Sequence, residues 1–432
     1  MGQGKGDGFG GEAAKTISPL LIKTTVIPSE AHEVCEVEES PCYLVTNSFF
    51  FRIFAPAKRK RTLQQNMHLK SLNITNFKNY AEFAVEFSPN INCFVGNNGI
   101  GKTNLLDAIH YLSFCKSYVQ NADMQNIRHN EDFFAIHGMF EKNGQTDTVS
   151  CIQKRGTRKI VQLNKKEHER FSEHIGLFPV VMISPYDSDL INDGSDVRRK
   201  FMDVVISQFD KFYLEQLIAY NQTLEQRNKF LKSDHFGETL CEVIDQKLIQ
   251  YGSKIFESRT DFLNKFSALF QHYFEILSKG FERVEISYNS QLQDHLSFSE
   301  QLKNSRQKDR ILQYTSVGIH KDDLILLIDD FPVKKFGSQG QQKSFTLAMR
   351  LAQLEFTKQQ NGYFPILLLD DVFDKLDNSR VLQLLELVGH NDFGQVFITD
   401  TDACRLERIL NEQNITFKLF DIAESKSSTK LK

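Results

Sequence analysis

The sequence predicts an α/β fold whose parallel-sheet domain is split by a helical insertion. Three observations predict it. Asn90-Ile91-Asn92-Cys93-Phe94-Val95 reads as a buried strand and runs into the Gly-rich segment Gly96–Thr103. After that segment Leu105, Leu106, Ile109 and Leu112 fall at helical spacing. Far downstream, Ile366–Leu369 is a continuous apolar run ending in Asp370-Asp371, as expected of a central parallel strand. Between these segments, from about Gly194 to Lys279, the period turns helical. One face carries Phe201, Val204, Val205, Phe209, Phe212, Leu214 and Leu217. Another carries Leu248, Tyr251, Ile255, Phe262, Phe266, Leu269 and Phe270.

The remaining elements follow in order. Met67–Ile74 and Phe83–Phe87 read as strands, with more near 133–140, 147–153 and 159–163 and a buried one over Pro179–Ser184. After the helical stretch come a strand near Val284–Tyr288 and a helix near Ser299–Gln313. The α/β pattern then resumes with a strand over Leu324–Ile328 and a helix over Gln341–Gln359. A helix over 378–389, a strand over Gln395–Thr399, a helix over 402–410 and a last strand over Thr416–Phe420 complete it. The helices read as too short, and their heptads as too irregular, for a long coiled coil. The expected division is a leader over 1–66, the first part of lobe I over 67–193, a helical lobe II over 194–314, the second part of lobe I over 315–422 and a tail over 423–432.

The Gly-rich segment meets the pattern G-x-x-x-x-G-K-[ST] through Gly96, Gly101, Lys102 and Thr103, with Asn97, Asn98, Gly99 and Ile100 between. Glycines let backbone N–H groups turn inward onto phosphate oxygens, and the following helix N-terminus adds partial positive charge. Lys102 is expected to reach the β- and γ-phosphates of ATP, and Thr103 to ligate Mg²⁺ through its hydroxyl. Asp370, at a strand end, is the candidate second support for Mg²⁺, and Asp371 the candidate general base. Lys102, Asp370 and Asp371 are thus the candidate catalytic residues.

Gly337-Ser338-Gln339-Gly340-Gln341 precedes a helix with Phe345, Leu347, Ala348, Leu351, Ala352 and Leu354 on its apolar side. A capped helix start accounts for Ser338 alone. Gly340 and the paired Gln341-Gln342 go beyond what a cap requires. In ABC-type ATPases such a turn binds the γ-phosphate of a nucleotide held by a second copy. Ser338, Gly340 and Gln341 are therefore expected to complete the partner's site, in a homodimer that closes over ATP.

Composition narrows the class. Of 432 residues, 41% are hydrophobic and 25% charged, an ordinary globular balance, and no apolar run approaches the ~20 residues of a membrane span. There are 37 Phe and no Trp; core packing accounts for the Phe. The seven cysteines are scattered with no C-x-x-C pair, which favours a reducing cytoplasm and argues against a zinc site. A net charge of −3 makes no global demand for nucleic acid. Local basic clusters exist at Lys154/Arg155/Arg158/Lys159, Lys165/Lys166, Arg198/Arg199/Lys200 and Lys303/Arg306/Lys308/Arg310. Residues 1–66 hold no period. They open Gly-rich and end in Lys58-Arg59-Lys60-Arg61, so a disordered leader or an over-extended reading frame before Met67 is expected.

With these residues placed, the chain closely resembles the RecF family, bacterial recombination mediators among the SMC-like ABC ATPases. The resemblance runs from Met67 to about Ile422. It rests on Asn76-Phe77-Lys78-Asn79-Tyr80, Gly96–Asn104, Leu105–Ile109, Pro185–Ile191 leading to Arg198–Asp203, Gly318–Leu324, Phe336–Lys343 and Leu369–Asp377. It implies an ABC-type P-loop ATPase head with an inserted helical lobe. It also implies ATP-dependent dimerisation, binding to double-stranded DNA near single-strand gaps and junctions, slow ATP hydrolysis, and loading of RecA with RecO and RecR. Asp377 would lie in a dimer-contacting loop.

The chain departs from wider ABC patterns in three places. Asp371 stands where many have Glu, Asp374 where Ser or Ala is usual, and Asp400-Thr401 where a phosphate-sensing histidine is common. No Q-loop glutamine is evident. A transporter subunit would carry its signature turn much nearer the phosphate loop. A structural chromosome protein would need long coiled-coil arms, and a defence ATPase an added nuclease domain.

Overall fold

A computed structural model of the chain describes residues 25–26, 67–120, 122–233, 237–278, 282–372, 378–389 and 393–422. Of the expected leader only the two-residue strand Thr25–Val26 is described, and the expected tail begins just beyond the last described residue.

Two sheets enclose the helix that follows the phosphate loop. The first is mostly parallel. Its order is Thr25–Val26, Phe417–Asp421, Ile91–Val95, Val396–Asp400, Ile366–Leu369, Val180–Ile183, with only Thr25–Val26 antiparallel. Ile366–Leu369 and Val180–Ile183 are buried at every position, which explains their unbroken apolar runs. The second sheet is antiparallel, in the order Tyr80–Glu86, Met67–Phe77, Phe133–Lys142, Gln145–Lys154, Ile160–Leu163, Lys166–Glu167. Between them the helix Lys102–Phe114 is buried at every residue from Leu105 onward. Its core neighbours include Phe77, Phe94, Phe134, Phe140 and Phe397, while Phe262, Phe266, Phe270, Phe274, Phe345 and Phe356 fill the second core, so the abundant Phe is shared between the two.

The helical segment contains Ser195–Ser207, Lys211–Leu231 and Glu238–Ser278. The last has 41 residues, about 60 Å at 1.5 Å per residue. This corrects the expectation of short helices with irregular heptads. Its buried residues Cys241, Asp245, Leu248, Gly252, Ile255, Arg259, Phe262, Phe266, Leu269 and Tyr273 alternate in steps of four and three. The seam is regular, but polar or small residues occupy three of its places. Asp245 meets Arg227 at 2.7 Å and Arg306 at 3.0 Å, and Arg259 meets Asp203 and Asp322, each at 2.9 Å. Gly252 lies against Phe298 and Tyr220, where a Cβ would come within 2.8 Å of the Phe298 ring. The long helix packs on Lys211–Leu231 and on Gln339–Asn361, so its seam is satisfied within the chain.

A three-stranded sheet joins the segments on either side of the helix Phe298–Leu312. Val284–Asn289 pairs antiparallel with Asp323–Ile328, which pairs with Phe331–Pro332.

Candidate nucleotide site

The parallel sheet determines which chain segments meet. Its order puts Val396–Asp400 between the phosphate-loop strand Ile91–Val95 and the acid-bearing strand Ile366–Leu369. Asp400 lies opposite Val95, and Ile398 opposite Leu369. Residues at the C-terminal ends of three strands therefore converge, the usual position for a ligand site in an α/β sheet.

The phosphate loop has the conformation its glycines permit. Gly99 and Gly101 adopt φ of 76° and 116°, and the helix begins at Lys102. Lys102 is almost fully buried, and its Nζ donates to the carbonyls of Gly96 at 2.7 Å and Asn97 at 3.2 Å. Its ammonium thus lies folded across its own loop, on carbonyls that a phosphate oxygen can replace. Asn97, Asn98 and Gly99 are exposed, and Ile100 is half-buried.

Thr103 donates its hydroxyl to Asp370 Oδ1 at 2.9 Å, across 267 residues of sequence. The two residues expected to hold Mg²⁺ are brought together. Burial pushes the Asp370 carboxyl up to about 6, although hydrogen bonds from Thr399 and Thr103 pull it down. Two adjoining oxygen donors, one of them a carboxylate kept from water, fit a small hard cation.

Asp371 has φ of 46°, a left-handed conformation rare for a residue with a side chain. Thr399 stabilises this turn. Its hydroxyl accepts the Asp371 backbone N–H at 2.9 Å and donates to Asp370 Oδ1 at 2.9 Å. Sequence reasoning missed Thr399, because nothing local marks the last turn of a strand as the neighbour of a distant acid. A cavity of about 290 Å³ opens beside Asp371, lined also by Ser184, Ser188, Lys343 and Thr346.

Ser338 caps the helix Gln339–Asn361, and Gln341 does more than expected of it. The Gln341 N–H donates to Ser338 Oγ at 3.2 Å, while Gln341 Oε1 accepts the Ser338 N–H at 2.6 Å. This reciprocal capping box corrects the view that capping has no use for Gln341. Its amide also donates to Glu282 Oε1 at 2.7 Å. A Cβ on Gly340 would meet the Arg380 guanidinium at 3.4 Å. Among the described residues, the side-chain hydrogen bonds of Ser338 and Gln341 go to each other's backbone and to Glu282, and none reaches the phosphate loop of the same chain.

Beside the acid-bearing strand, Val180–Ile183 ends in Ser184-Pro185-Tyr186-Asp187. Asp187 accepts from Arg350 at 2.7 Å and from Tyr118 at 3.0 Å. Arg350 belongs to the helix that Ser338 caps, so this turn is tied to it. Asp374 and Asp377 lie outside the described residues.

Several cations of the basic clusters are already engaged. Lys159 is buried against Asp123 at 2.6 Å, Arg198 holds Asp323 with two nitrogens at 2.6 and 3.0 Å, and Arg306 holds Asp245. Lys154, Lys165, Lys166, Lys200, Lys303 and Lys308 are exposed.

The comparisons with known proteins agree with this geometry. The profile described as RecF/RecN/SMC N terminal domain matches residues 68–421. The DNA replication and repair protein RecF of Bacteroides thetaiotaomicron is 49% identical over 358 residues, covering 82% of this chain and 97% of the relative. That of Flavobacterium johnsoniae is 47% identical over 362 residues, covering 82% and 100%. Two solved structures of the recombination mediator protein RecF in the RecFOR pathway superpose on the fold. The ATP form has a TM-score of 0.74 at 30% identity, covering 79% of this chain and 96% of that one. The ATPrS form has a TM-score of 0.73 at 31% identity, covering 79% and 94%. On the strength of its phosphate loop, its capped signature helix and these relatives, the chain belongs to the RecF family.

Proposed function

We propose that this chain is an ATP-dependent DNA-binding protein of recombinational repair and replication. It binds ATP and Mg²⁺ in one copy, completes the site with Ser338, Gly340 and Gln341 of a second, and hydrolyses ATP slowly. The observation that carries this reading is the division of the site. Thr103, Lys102, Asp370 and Asp371 converge, while among the described residues the side chains of the Ser338 turn make no hydrogen bond to their loop in the same chain. The names of the relatives, RecF proteins of replication and repair, support the cellular role.

In this reading Lys102 leaves the Gly96 and Asn97 carbonyls for the β- and γ-phosphates. Thr103 and Asp370 hold Mg²⁺, which neutralises phosphate charge when bound. Asp371 orients the attacking water and accepts its proton. An aspartate is one methylene shorter than the glutamate common at this position, consistent with slow turnover. The Ser338 hydroxyl already accepts the Gln341 N–H, so its own proton is free to be donated to a partner's γ-phosphate.

The DNA is duplex at gaps and junctions with single strands, and RecO and RecR act with the protein to load RecA. The exposed lysines outside ion pairs supply the phosphate contacts. The test is a gel shift on gapped duplex with and without ATP, repeated across salt. ATP-stimulated binding whose affinity falls steeply with salt supports the reading; ATP-independent binding or a flat salt titration overturns it.

A further inference from the structure

We propose that Asn79 and Tyr80 are positioning residues that hold the phosphate loop in its nucleotide-binding shape by its carbonyls. The inference rests on the reading of the loop as an ATP site. The turn Asn76–Tyr80 joins the strands Met67–Phe77 and Tyr80–Glu86 of the antiparallel sheet, so it comes from outside the motif it supports. The Asn79 amide donates to the Ile100 carbonyl at 2.8 Å, and its oxygen accepts from Asn104 Nδ2 at 2.9 Å. The Tyr80 hydroxyl donates to the Gly101 carbonyl at 3.1 Å. The Gly101 carbonyl also accepts Asn104 N at 3.0 Å and Leu105 N at 3.2 Å, so the turn and the helix together hold two consecutive carbonyls just before Lys102 to one side.

A peptide plane carries its N–H opposite its C=O. A carbonyl fixed outward therefore fixes the next N–H toward the phosphate. The N–H groups of Gly101 and Lys102 follow these two carbonyls, so the clamp aims the donors that cradle the anion. Asn79 also lies so close to Gly101 that any Cβ there would strike its amide. Gly101 is thus needed both for its φ and for this approach.

The turn is itself anchored. Asn76 and Lys78 take left-handed φ of 53° and 51°. Lys78 N donates to the Asn126 carbonyl at 2.7 Å, and the Asn76 carbonyl accepts from Arg128 N at 2.9 Å. Lys78 Nζ meets the buried carboxylate of Asp107 at 2.5 Å, on the helix the phosphate loop opens. One short turn therefore grips the helix by Lys78 and the loop by Asn79 and Tyr80. Preorganised donors save the cost of ordering them when the ligand arrives.

The clamp acts on loop shape, common to every nucleotide the loop holds, and not on the γ-phosphate or the base. Its loss should weaken ground state and transition state alike, raising KM much more than it lowers kcat. The experiment measures ATP and ADP affinity by equilibrium titration of the full chain, with KM and kcat for ATP, in Asn79→Leu and Tyr80→Phe. Tyr80→Phe removes one oxygen and keeps the buried ring, so it preserves folding. Losses of about tenfold for Asn79→Leu and about threefold for Tyr80→Phe are expected, the same factor for ATP and ADP. ATP affinity within twofold of the parent in Tyr80→Phe and a folded Asn79→Leu overturns the clamp. So does a loss confined to kcat. A parent chain that binds no ATP refutes the nucleotide-site reading instead.

Discussion

The hydroxyl of Thr399 donates to Asp370 at 2.9 Å, and the same oxygen receives the backbone N–H of the next acid in the chain. A residue with no acid–base chemistry of its own thus orients the Asp370 carboxylate and holds the Asp371 backbone. It does so from the strand inserted between the phosphate loop and the acids. Thr399→Val keeps the shape and removes both bonds. We expect kcat to fall about tenfold, near 1.4 kcal/mol, with little change in ATP affinity, measured by steady-state hydrolysis and nucleotide titration. Parent-like turnover would remove Thr399 from the site.

Asp370 makes the site sensitive to pH. Its carboxyl, raised to about 6, takes up a proton in the folded chain at a pH where an unfolded carboxyl is still ionised. The folded state therefore binds more protons between about pH 4 and 6, and stability falls as pH rises through that window. The ionised form costs the nucleotide-free protein about 3 kcal/mol at pH 7, an order-of-magnitude figure. Asp370→Asn should raise the Tm at pH 7.5 and lose about half of that gain at pH 5. A gain that does not shrink on acidification would contradict the assignment. The kcat/KM for ATP, which reports the nucleotide-free protein, should decline below about pH 6 as Asp370 is neutralised.

The helical lobe is stabilised by buried charge. Arg227 is fully buried and meets Asp245 and Asp309, each at 2.7 Å. Removing it leaves two carboxylates with too little compensation. Arg227→Ala should cost about 3–5 kcal/mol by chemical denaturation. A loss below about 1 kcal/mol would show that water or Arg306 takes its place.

The phosphate loop, its flanking strand and helix, and the acid-bearing strand were legible because each signal is local and contiguous. Gly101, Lys102 and Thr103 announce themselves, and Ile366–Leu369 is apolar because both faces are covered. What depends on sheet order was not legible. Thr399 matters only because its strand lies beside Ile366–Leu369, and Asn79 only because its turn folds over Gly101. The seam of the long helix was hidden by chemistry. Asp245 and Arg259 hold core positions because partners far along the chain neutralise them, so a hydrophobic pattern skips both. Gln341 was read only for a partner's phosphate, since its capping role requires the side chain to turn back onto Ser338.

The central claim is that the ATP site is complete only when Ser338 of a second copy faces the phosphate loop. Molar mass by light scattering, with and without ATP, tests it directly on the parent and on Ser338→Arg. The account predicts ATP-dependent dimers for the parent and monomers for Ser338→Arg, even when the variant is saturated with nucleotide. Dimers of Ser338→Arg forming as readily as those of the parent would contradict it.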